Sequence, residues 1–330
     1  MTIRWGIIGC GNVTEVKSGP ALQKATGSSL VAVMRRNGDL AQDYVWRHGV
    51  PKWYDDADAL IHAPDVDAVY IATPPNSHKA YALAVAKAGK PVYVEKPMAL
   101  NYAECQEMIA ACEEAGVPLY VAYYRRGLSR FRQVKYWIED GAIGEVRSVD
   151  VRLYRPPSPE DSSPEKPWRL DPTVAGCGYF CDLGSHIIDL LQFLLGPIVS
   201  VQGYASNQGG LYEVEDTVSA AFIFENGAHG VGIWHFNTQN YVDQTEIVGT
   251  KGRIRYATFA EEPLQLICGD KTETVHIENP EHIQQPLIQL VVDDILGLGT
   301  CPSTGKTAAM TNWVIDNILG NGNESAVSLG

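Results

Sequence analysis

The amino terminus constrains the fold most, because a short apolar segment runs directly into a glycine-rich turn. Residues 3–8 read IRWGII, a run rich in β-branched residues that is typical of a buried parallel strand. Residues 9–14 follow as GCGNVT. In such a turn Gly9 permits the tight bend, Gly11 lets the backbone approach a pyrophosphate, and a helix beginning near Asn12 directs free N–H groups at phosphate charge. The segment predicts a dinucleotide-binding turn in which Thr14 replaces the third glycine of the usual pattern.

The first 123 residues alternate short apolar runs with amphipathic stretches, which predicts a doubly wound parallel sheet of the α/β class. The predicted strands are 3–8, 30–34, 51–54, 68–72, 91–95 and 118–122. The predicted helices are 12–26, 38–48, 56–62, 77–89 and 101–115. The last helix has Asn101 as its N-cap, Glu104 three residues later, and Gly116 just past its end. We therefore expect a dinucleotide-binding Rossmann domain over residues 1–123.

From residue 124 onward the pattern changes to strand-like alternation, which predicts an α+β domain for substrate binding and oligomerisation over 124–330. The predicted helices are 128–140, 281–297 and 305–319. The predicted strands are 145–154, 198–206, 215–225, 228–236, 243–248 and 252–257. They indicate one large, mainly antiparallel open sheet, through which a homodimer or homotetramer would form. Asn226-Gly227 and Lys251-Gly252 predict tight reversals. The Pro/Ser-rich segment 155–167 is expected to be an exposed loop, at an active-site rim or simply on the surface.

Composition and charge narrow the function classes. A net charge of −13 argues against nucleic acid or an anionic membrane surface as a partner. No run of about 18 apolar residues exists, so no transmembrane helix is predicted, and the immediate first strand leaves no room for a signal peptide. The seven cysteines are odd in number and scattered, which indicates reduced, mostly buried thiols. Cys177 and Cys181 lack a second pair that would complete a zinc site. We expect a cytoplasmic enzyme.

The end of the second predicted strand bears on the choice of cofactor. The chain reads VMRR over residues 33–36, with no carboxylate before Asp39. An acidic residue at this place would bind the 2′-hydroxyl of NAD, whereas arginine binds the 2′-phosphate of NADP bidentately. Arg35 and Arg36 therefore predict a preference for NADP, with NAD as the alternative. In the other interpretation both arginines are solvated residues at the start of a helix.

Three further segments carry polar residues at or after strand ends or on a helix. They read ATPPNSH at 72–78, VEKP at 94–97 and DLGSHIID at 182–189. With the glycine-rich turn and PWRLDP at 167–172, these motifs resemble those of the Gfo/Idh/MocA (glucose–fructose oxidoreductase and inositol dehydrogenase) family over nearly the whole chain. Among its subgroups the chain is most similar to NADP-using dihydrodiol dehydrogenases and anhydrofructose reductases.

The resemblance implies hydride transfer between a nicotinamide cofactor and a sugar, polyol or related cyclic alcohol or carbonyl. Such a reaction needs a proton donor or acceptor, and stabilisation of charge, at the reacting oxygen. The resemblance assigns these roles to Lys96 and His186. Asp182 would orient His186 or bind a sugar hydroxyl, and Tyr124, which directly follows the sixth predicted strand, would line the substrate pocket. On an α-helix Asp182, His186 and Asp189 would fall within about 60° of one face. The residues expected to contact the cofactor are Gly9, Gly11, Asn12, Val13, Arg35, Arg36, Thr73, Pro74, Asn76, His78, Glu95, Lys96, Trp168 and Arg169.

Structural roles remain open for several of these residues. In a purely structural interpretation Lys96 is a surface lysine, His186 is a hydrogen-bonded core histidine, and Asp189 is a buried polar partner. His78 is expected to support the cofactor loop, and Tyr124 is alternatively a packing residue between domains.

Other functions also remain open at this stage. A redox-assisted glycosidase would use the same hydride chemistry while retaining its cofactor, and a non-catalytic sensor would only bind NADP. The presence of Lys96, Asp182 and His186 together favours an enzyme, because a sensor needs none of them. No metal site is expected, since nothing supplies a partner set for the polar residues at 182–189. The role of Gln284 stays unassigned.

Overall fold

The computed structural model describes residues 1–320, and the chain forms two compact units. The first unit consists of residues 1–128 and 280–309, and the second, within the described residues, of 129–279 and 310–320. Each unit is built from two segments of the chain, so the division differs from the single predicted boundary after residue 123. The segment 280–309 returns to the first sheet, where the N–H of Val121 donates to the carbonyl of Ser303 across 3.0 Å. The functional assignment of the two domains stays a prediction.

The first unit contains a six-stranded parallel sheet. Its strands are β1 (Ile3–Ile8), β2 (Ser28–Met34), β3 (Lys52–Tyr54), β4 (Ala68–Ile71), β5 (Val92–Val94) and β6 (Leu119–Val121). The strand order is β3-β2-β1-β4-β5-β6, which is the order of a Rossmann fold. The order reverses between β1 and β4, where the carboxyl ends of the strands leave a crevice for ligands. The predicted parallel sheet is confirmed.

Ten α-helices occur in the described residues. They are α1 (Gly19–Lys24), α2 (Gly38–His48), α3 (Ala57–Ile61), α4 (His78–Lys87), α5 (Tyr102–Ala115), α6 (Ser129–Glu139), α7 (Pro172–Ala175), α8 (Ser185–Leu195), α9 (Gln285–Ile295) and α10 (Gly305–Ile318). Local signals set the ends of α5 as predicted: Asn101 Oδ1 accepts the N–H of Glu104 at 2.9 Å, and Gly116 adopts a left-handed conformation. None of the helices within residues 1–320 has the length and apolarity of a bilayer span.

The second unit contains an eight-stranded sheet. Its strands are β7 (Val146–Tyr154), β8 (Ile198–Ser206), β9 (Thr217–Phe224), β10 (His229–His235), β11 (Val242–Gly249), β12 (Arg253–Tyr256), β13 (Leu264–Cys268) and β14 (Lys271–Val275). The order is β14-β13-β12-β11-β7-β10-β9-β8, and only the β7–β10 pair is parallel among the neighbours. The mainly antiparallel sheet is confirmed, with its predicted reversals at Asn226-Gly227 and Lys251-Gly252. The prediction omitted β13 and β14; β14 reads KTETV and is largely exposed, so it lacks the apolar alternation that marks a strand.

One face of the second sheet is packed against helical segments. Val149, Val151 and Leu153 are the buried positions of β7, and they alternate with more exposed ones. On β10 the buried Trp234 ring contacts Phe180, with ring centroids 5.0 Å apart. Phe180 begins the segment that leads into α8, so that segment lies on the buried face of the sheet.

Candidate functional site

The glycine-rich turn packs directly against the loop that follows β4. Gly9 has a φ of +91°, and a Cβ placed on it would lie 2.7 Å from Thr73 Cγ2. Both the conformation and the contact require glycine at this position. A Cβ on Gly11 would meet only the Gly9 carbonyl oxygen, at 3.9 Å, so the space over Gly11 is open. The turn therefore joins the ends of β1 and β4 at the point where the strand order reverses, as a dinucleotide site requires.

The helix after this turn differs from the predicted 12–26 segment. A helical start at Asn12 and Val13 leads into a π-helical turn, Thr14–Ser18, and α1 follows. Thr14 is fully buried, its hydroxyl donates to the Gly11 carbonyl at 2.8 Å, and its own carbonyl accepts the Tyr44 hydroxyl at 2.9 Å.

Gly19 is the residue that allows this helical segment to pack closely against its neighbours. It lies outside the glycine-rich motif of residues 9–14. A Cβ on Gly19 would collide with the Thr14 carbonyl oxygen and with Tyr44 Oη. Burial raises the pKa of Tyr44 to about 12, so its hydroxyl stays protonated and keeps donating to Thr14. Thr14 is thus part of the packing between this helical segment and α2, which carries Tyr44. The Gly-Pro pair at residues 19 and 20 is the sequence signal that could have identified this contact.

The two arginines follow β2 next to the glycine-rich turn. Arg35 is half-buried, and its Nη1 donates to the carbonyl of Cys10 at 3.4 Å. Arg36 is exposed. The carbonyl of Met34 accepts the N–H of Gly9 at 2.9 Å, which holds the end of β2 against the turn. The structure therefore places Arg35 beside the turn, while a contact with a ribose phosphate stays a prediction.

His78 connects two of the predicted cofactor loops. Its side chain is fully buried, and Nε2 lies 2.7 Å from the Thr73 carbonyl oxygen. Nδ1 lies 3.1 Å from the Pro97 carbonyl oxygen. Burial lowers the pKa of His78, which favours the neutral ring. The His78 ring therefore packs between the loop after β4 and the loop after β5, and in its neutral form it donates to one of these two carbonyls. Asn76, in the same loop, is exposed, and Pro74 is half-buried.

Glu95 is the centre of a buried hydrogen-bond network at the end of β5. Its Oε1 accepts the Tyr70 hydroxyl at 2.5 Å and Gln284 Nε2 at 2.8 Å, and its Oε2 accepts the N–H of Lys96 at 3.1 Å. Burial, together with the charge of Glu95, raises the pKa of Tyr70. The peptide bond between Lys96 and Pro97 is cis. Sequence reasoning did not identify Tyr70, because a tyrosine inside an apolar strand carries no motif.

Tyr124 lies in the first unit, in the 3₁₀ turn Tyr124–Gly127 that follows β6. It is 7% exposed, and the guanidinium carbon of Arg125 lies 4.8 Å from its ring centroid. Its predicted contact with substrate stays a prediction.

The second unit holds the remaining predicted residues. Asp182 belongs to a π-helical turn, Phe180–Gly184, and His186 belongs to α8. The uniform α-helical face assumed for residues 182–189 is therefore wrong, because the wider turn changes the angle between these side chains. The His186 ring is buried and lies 6.1 Å from the Phe259 ring, edge to face. Asp189 is also buried and accepts the Thr311 hydroxyl at 3.5 Å, which makes it part of the interior packing of this unit.

Arg169 contacts a predicted catalytic residue. Its Nε donates to Asp182 Oδ2 at 3.0 Å, and its guanidinium lies 4.5 Å from the Trp168 ring centroid. Trp168 is 39% exposed. The structure thus brings Trp168, Arg169 and Asp182 together within the second unit. The cofactor contacts that the resemblance implies for the first two stay predictions.

The prediction that the cysteines are all reduced is wrong for one pair. Cys177 and Cys181 form a disulfide, with Cα atoms 5.5 Å apart. Cys177 lies in the bend between α7 and the turn Phe180–Gly184, and Cys181 lies inside that turn, so sequence spacing alone did not reveal the pairing. The free cysteines within residues 1–320 are Cys10, Cys105, Cys112, Cys268 and Cys301. Over the same residues, no group of three or more His, Cys, Asp or Glu side chains has the arrangement of a metal site.

The segment 155–167 is more ordered than a plain exposed loop. A 3₁₀ turn, Pro159–Ser162, begins with a capping box between Ser158 and Asp161. Asp161 is 1% exposed and accepts the Tyr179 hydroxyl at 2.5 Å. The expectation of an exposed loop is therefore wrong at Asp161, because this carboxylate has polar partners that allow its burial.

Comparison with known proteins agrees with this architecture. Residues 3–123 match the model of an oxidoreductase family with an NAD-binding Rossmann fold, and residues 131–255 match a GFO/IDH/MocA C-terminal domain. The chain is 39% identical to Oxidoreductase P35 of Formosa agariphila over 96% of this chain and 98% of that protein. It is 31% identical to 1,5-anhydro-D-fructose reductase of Ensifer adhaerens over 76% of this chain and 74% of that one. The structure of a levoglucosan dehydrogenase in complex with NADH and levoglucosan superposes with a TM-score of 0.86 at 25% identity, over 97% of each chain.

Proposed function

Because this chain belongs to the Gfo/Idh/MocA oxidoreductase family, with its NAD-binding Rossmann fold, we propose that it transfers a hydride between a nicotinamide cofactor and a sugar, polyol or related cyclic alcohol or carbonyl. The membership confirms the resemblance seen in the motifs. The names of the relatives support the substrate class: they include an anhydrofructose reductase, a myo-inositol 2-dehydrogenase and a levoglucosan dehydrogenase.

The observation that carries the proposal is the packing of Gly9 on Thr73 at the reversal of the strand order. It leaves an open backbone turn at the carboxyl end of β1, which fits a pyrophosphate. A second observation fits a polar cofactor. Gln284 is 1% exposed, and its Oε1 accepts no hydrogen bond from residues 1–320, although its Nε2 donates to Glu95. A bound group that donates hydrogen bonds would satisfy this buried oxygen.

We propose that NADP is preferred over NAD. Arg35 lies beside the glycine-rich turn, and no carboxylate follows β2 before Asp39. A 2′-phosphate would find two guanidinium groups there and no repelling charge. The solved relative named above contains NADH, so the preference is a property that we assign to Arg35 and Arg36 of this chain.

The proposed roles of the polar residues follow from the chemistry. When bound, the cofactor supplies or accepts the hydride. Lys96 would stabilise negative charge on the reacting oxygen, and its backbone is anchored by the Glu95 network. His186 would give or take the proton, as a general acid or base. Asp182 would orient His186 or bind a sugar hydroxyl, and Arg169 holds its carboxylate at 3.0 Å.

The test is absorbance of the reduced nicotinamide during incubation with each cofactor and a panel of sugars, inositols and dicarbonyls. We expect turnover, faster with NADP(H), that is lost in His186→Asn and kept in His229→Asn, an exposed histidine of β10. Glycoside cleavage with retained cofactor and no net reduction would instead identify a redox-assisted glycosidase. Tight cofactor binding with neither reaction would identify a sensor.

We also propose that the eight-stranded sheet mediates a homodimer or homotetramer. Tyr204 on β8 and Val231 on β10 are 75% and 51% exposed, and apolar side chains at such positions favour contact with a partner subunit. Sedimentation velocity tests this, and a monomer at micromolar concentration would contradict it. The cytoplasmic location expected from the sequence stays a prediction.

A further inference from the structure

Arg155 is a half-buried cation at the end of β7. Its N–H donates to the carbonyl of His235 at 2.8 Å, so the pairing of β7 with β10 continues one residue beyond the strand. The buried positions of β7 include Val151 and Leu153, and Arg155 is the next in that alternation. Arg155 therefore belongs to the buried face of the sheet, where a cation needs a polar or anionic partner.

One aromatic ring packs against the Arg155 side chain. Its guanidinium carbon lies 5.0 Å from the ring centroid of Tyr179, which is a favourable cation–π distance. Burial raises the pKa of Tyr241 to about 12, and the positive charge of Arg155 acts in the opposite direction; the Tyr241 ring is 50% exposed. A guanidinium held against a ring still presents its N–H groups at its edge, and those groups match a carboxylate in a bidentate arrangement.

No ion pair of Arg155 occurs within residues 1–320, and the two carboxylates beside the hydroxyls of Tyr179 and Tyr241 bind other donors. Asp161 accepts hydrogen bonds from Ser158 N, Ser158 Oγ and Tyr179 Oη at 2.8, 2.9 and 2.5 Å. Asp243 accepts hydrogen bonds from the N–H groups of Thr258, Phe259 and Ala260 at 2.9, 2.6 and 2.9 Å. Both carboxylates therefore hold loops in place, and Arg155 is left with its charge-assisted donors available.

Residues near Arg155 are also close to the two residues proposed to act in proton transfer, Asp182 and His186. Tyr179 directly precedes the π-helical turn that carries Asp182. On the other side Asp243 holds the backbone of Phe259, whose ring lies 6.1 Å from the His186 ring. Tyr179, which contacts Arg155, thus lies three residues before Asp182, and Asp243 holds the residue whose ring faces His186, all inside the second unit.

From these relationships we propose that Arg155 binds a carboxylate of the substrate, and that the substrate is a sugar acid such as a hexuronate. The inference deepens the proposed function and rests on it. A neutral sugar would leave the half-buried guanidinium without a counter-charge, whereas a hexuronate would supply one. Since a hydrogen bond to a charged group is worth more than one between neutral groups, Arg155 would select acidic over neutral sugars.

The test compares kcat/KM for D-glucuronate with D-glucose, and for D-galacturonate with D-galactose, at saturating cofactor. We expect the parent enzyme to prefer the acids. Arg155→Met should lower kcat/KM for the acids by about 10- to 100-fold and leave the neutral sugars unchanged. Arg155→Lys should restore part of the loss, because it keeps the charge without the bidentate geometry. Arg152→Met is the matched control: Arg152 lies on the same strand, is exposed, and pairs with Asp150 at 3.0 Å.

The outcomes separate this inference from the proposed function. Turnover of neutral sugars without preference for the acids, or an equal loss on both classes in Arg155→Met, would overturn the role of Arg155 and leave the dehydrogenase intact. Absence of turnover with every sugar, together with no calorimetric binding of D-glucuronate or D-glucose in the presence of cofactor, would overturn both. A thermal unfolding curve of Arg155→Met that matches the parent shows that the loss is not one of folding.

Discussion

Tyr70 Oη donates a hydrogen bond to Glu95 Oε1 across 2.5 Å, so the ends of β4 and β5 share one buried carboxylate. Gln284 donates to the same oxygen from the segment that returns to this unit after residue 279. A buried carboxylate is costly unless its oxygens find donors, and here Oε1 has two and Oε2 has one. Glu95, the residue next to Lys96, is therefore held by side chains from two other parts of the first unit.

Removing the Tyr70 hydroxyl should destabilise this unit. We expect Tyr70→Phe to lower the free energy of unfolding by about 2 kcal/mol, the scale of a hydrogen bond to a charged group, as measured by urea denaturation. Tyr93→Phe is the control, because the Tyr93 ring stacks on Tyr70 at 4.9 Å but its hydroxyl has no hydrogen-bond partner in residues 1–320. Equal losses in the two variants would show that the Glu95 contact is not the cause.

The arginines after β2 should decide cofactor preference. We expect the double variant Arg35→Ala, Arg36→Ala to raise KM for NADP(H) by about tenfold or more and to change KM for NAD(H) little, because only the former carries a 2′-phosphate. Steady-state kinetics with both cofactors measures this. Arg147→Ala, which removes an exposed arginine of β7, should change neither value. A parallel rise for both cofactors would contradict the NADP assignment.

Lys96 and His186 should affect catalysis more than cofactor binding. Lys96→Met and His186→Asn are each expected to lower kcat by about 10²-fold or more, since each removes a group proposed to act at the reacting oxygen. Cofactor affinity, followed by fluorescence titration, should remain close to that of the parent. The matched controls are Lys87→Met and His229→Asn, both at exposed positions. Full activity in either site variant would remove that residue from the mechanism.

Arg169 should act through Asp182. Both partners are partly exposed, with 42% and 22% of their side chains accessible, so solvent screens the ion pair and limits its contribution to about 0.2–1 kcal/mol. We expect Arg169→Gln to lower kcat/KM for the sugar by about two- to fivefold and to leave KM for the cofactor unchanged. Arg253→Gln, at an exposed arginine of β12, is the control. A raised cofactor KM with unaltered sugar kinetics would instead support the direct cofactor contact expected from the sequence.

Glu15 makes folding stability depend on acid pH. Hydrogen bonds from Arg47, and then from His48, lower the pKa of Glu15 from 4.5 to about 2. The unfolded chain takes up this proton first as the pH falls, so the stabilisation is complete above 4.5 and is lost toward 2. Solvent exposure limits it to about 1 kcal/mol.

The corresponding experiment is urea denaturation of Glu15→Gln over a range of acid pH. The variant should be less stable than the parent at neutral pH, and the difference should shrink as the pH falls through this window. Glu114→Gln, at an exposed position of α5, should show no such trend. A difference that is independent of pH would mean that the carboxylate charge is not responsible.

Local signals predicted the elements of the first sheet well. α2 spans the predicted 38–48, and α5 has its expected cap at Asn101 and its left-handed residue at Gly116. Such features depend on residues a few positions apart, so the sequence displays them directly. The strand β14 was not predicted, because its sequence KTETV has no apolar face. This strand is stabilised by pairing with β13.

The residues of the candidate site also fall into two groups, those that the sequence identifies and those that it does not. Gly9, Lys96 and His186 belong to motifs, so the sequence identifies them. Tyr70 and Arg155 do not, because their significance lies in partners that are distant along the chain: Glu95 for the first and Tyr179 for the second.

The sequence by itself determined the succession of strands in the first sheet, the glycine-rich turn and the family of the protein, since these follow from local pattern and from short motifs. Only the tertiary structure decided that residues 280–309 return to the first unit, that Cys177 pairs with Cys181, and that Arg155 lies against the Tyr179 ring. The physical reason is that packing, hydrogen bonding and charge balance depend on distance in space, and a linear pattern contains that distance only for near neighbours.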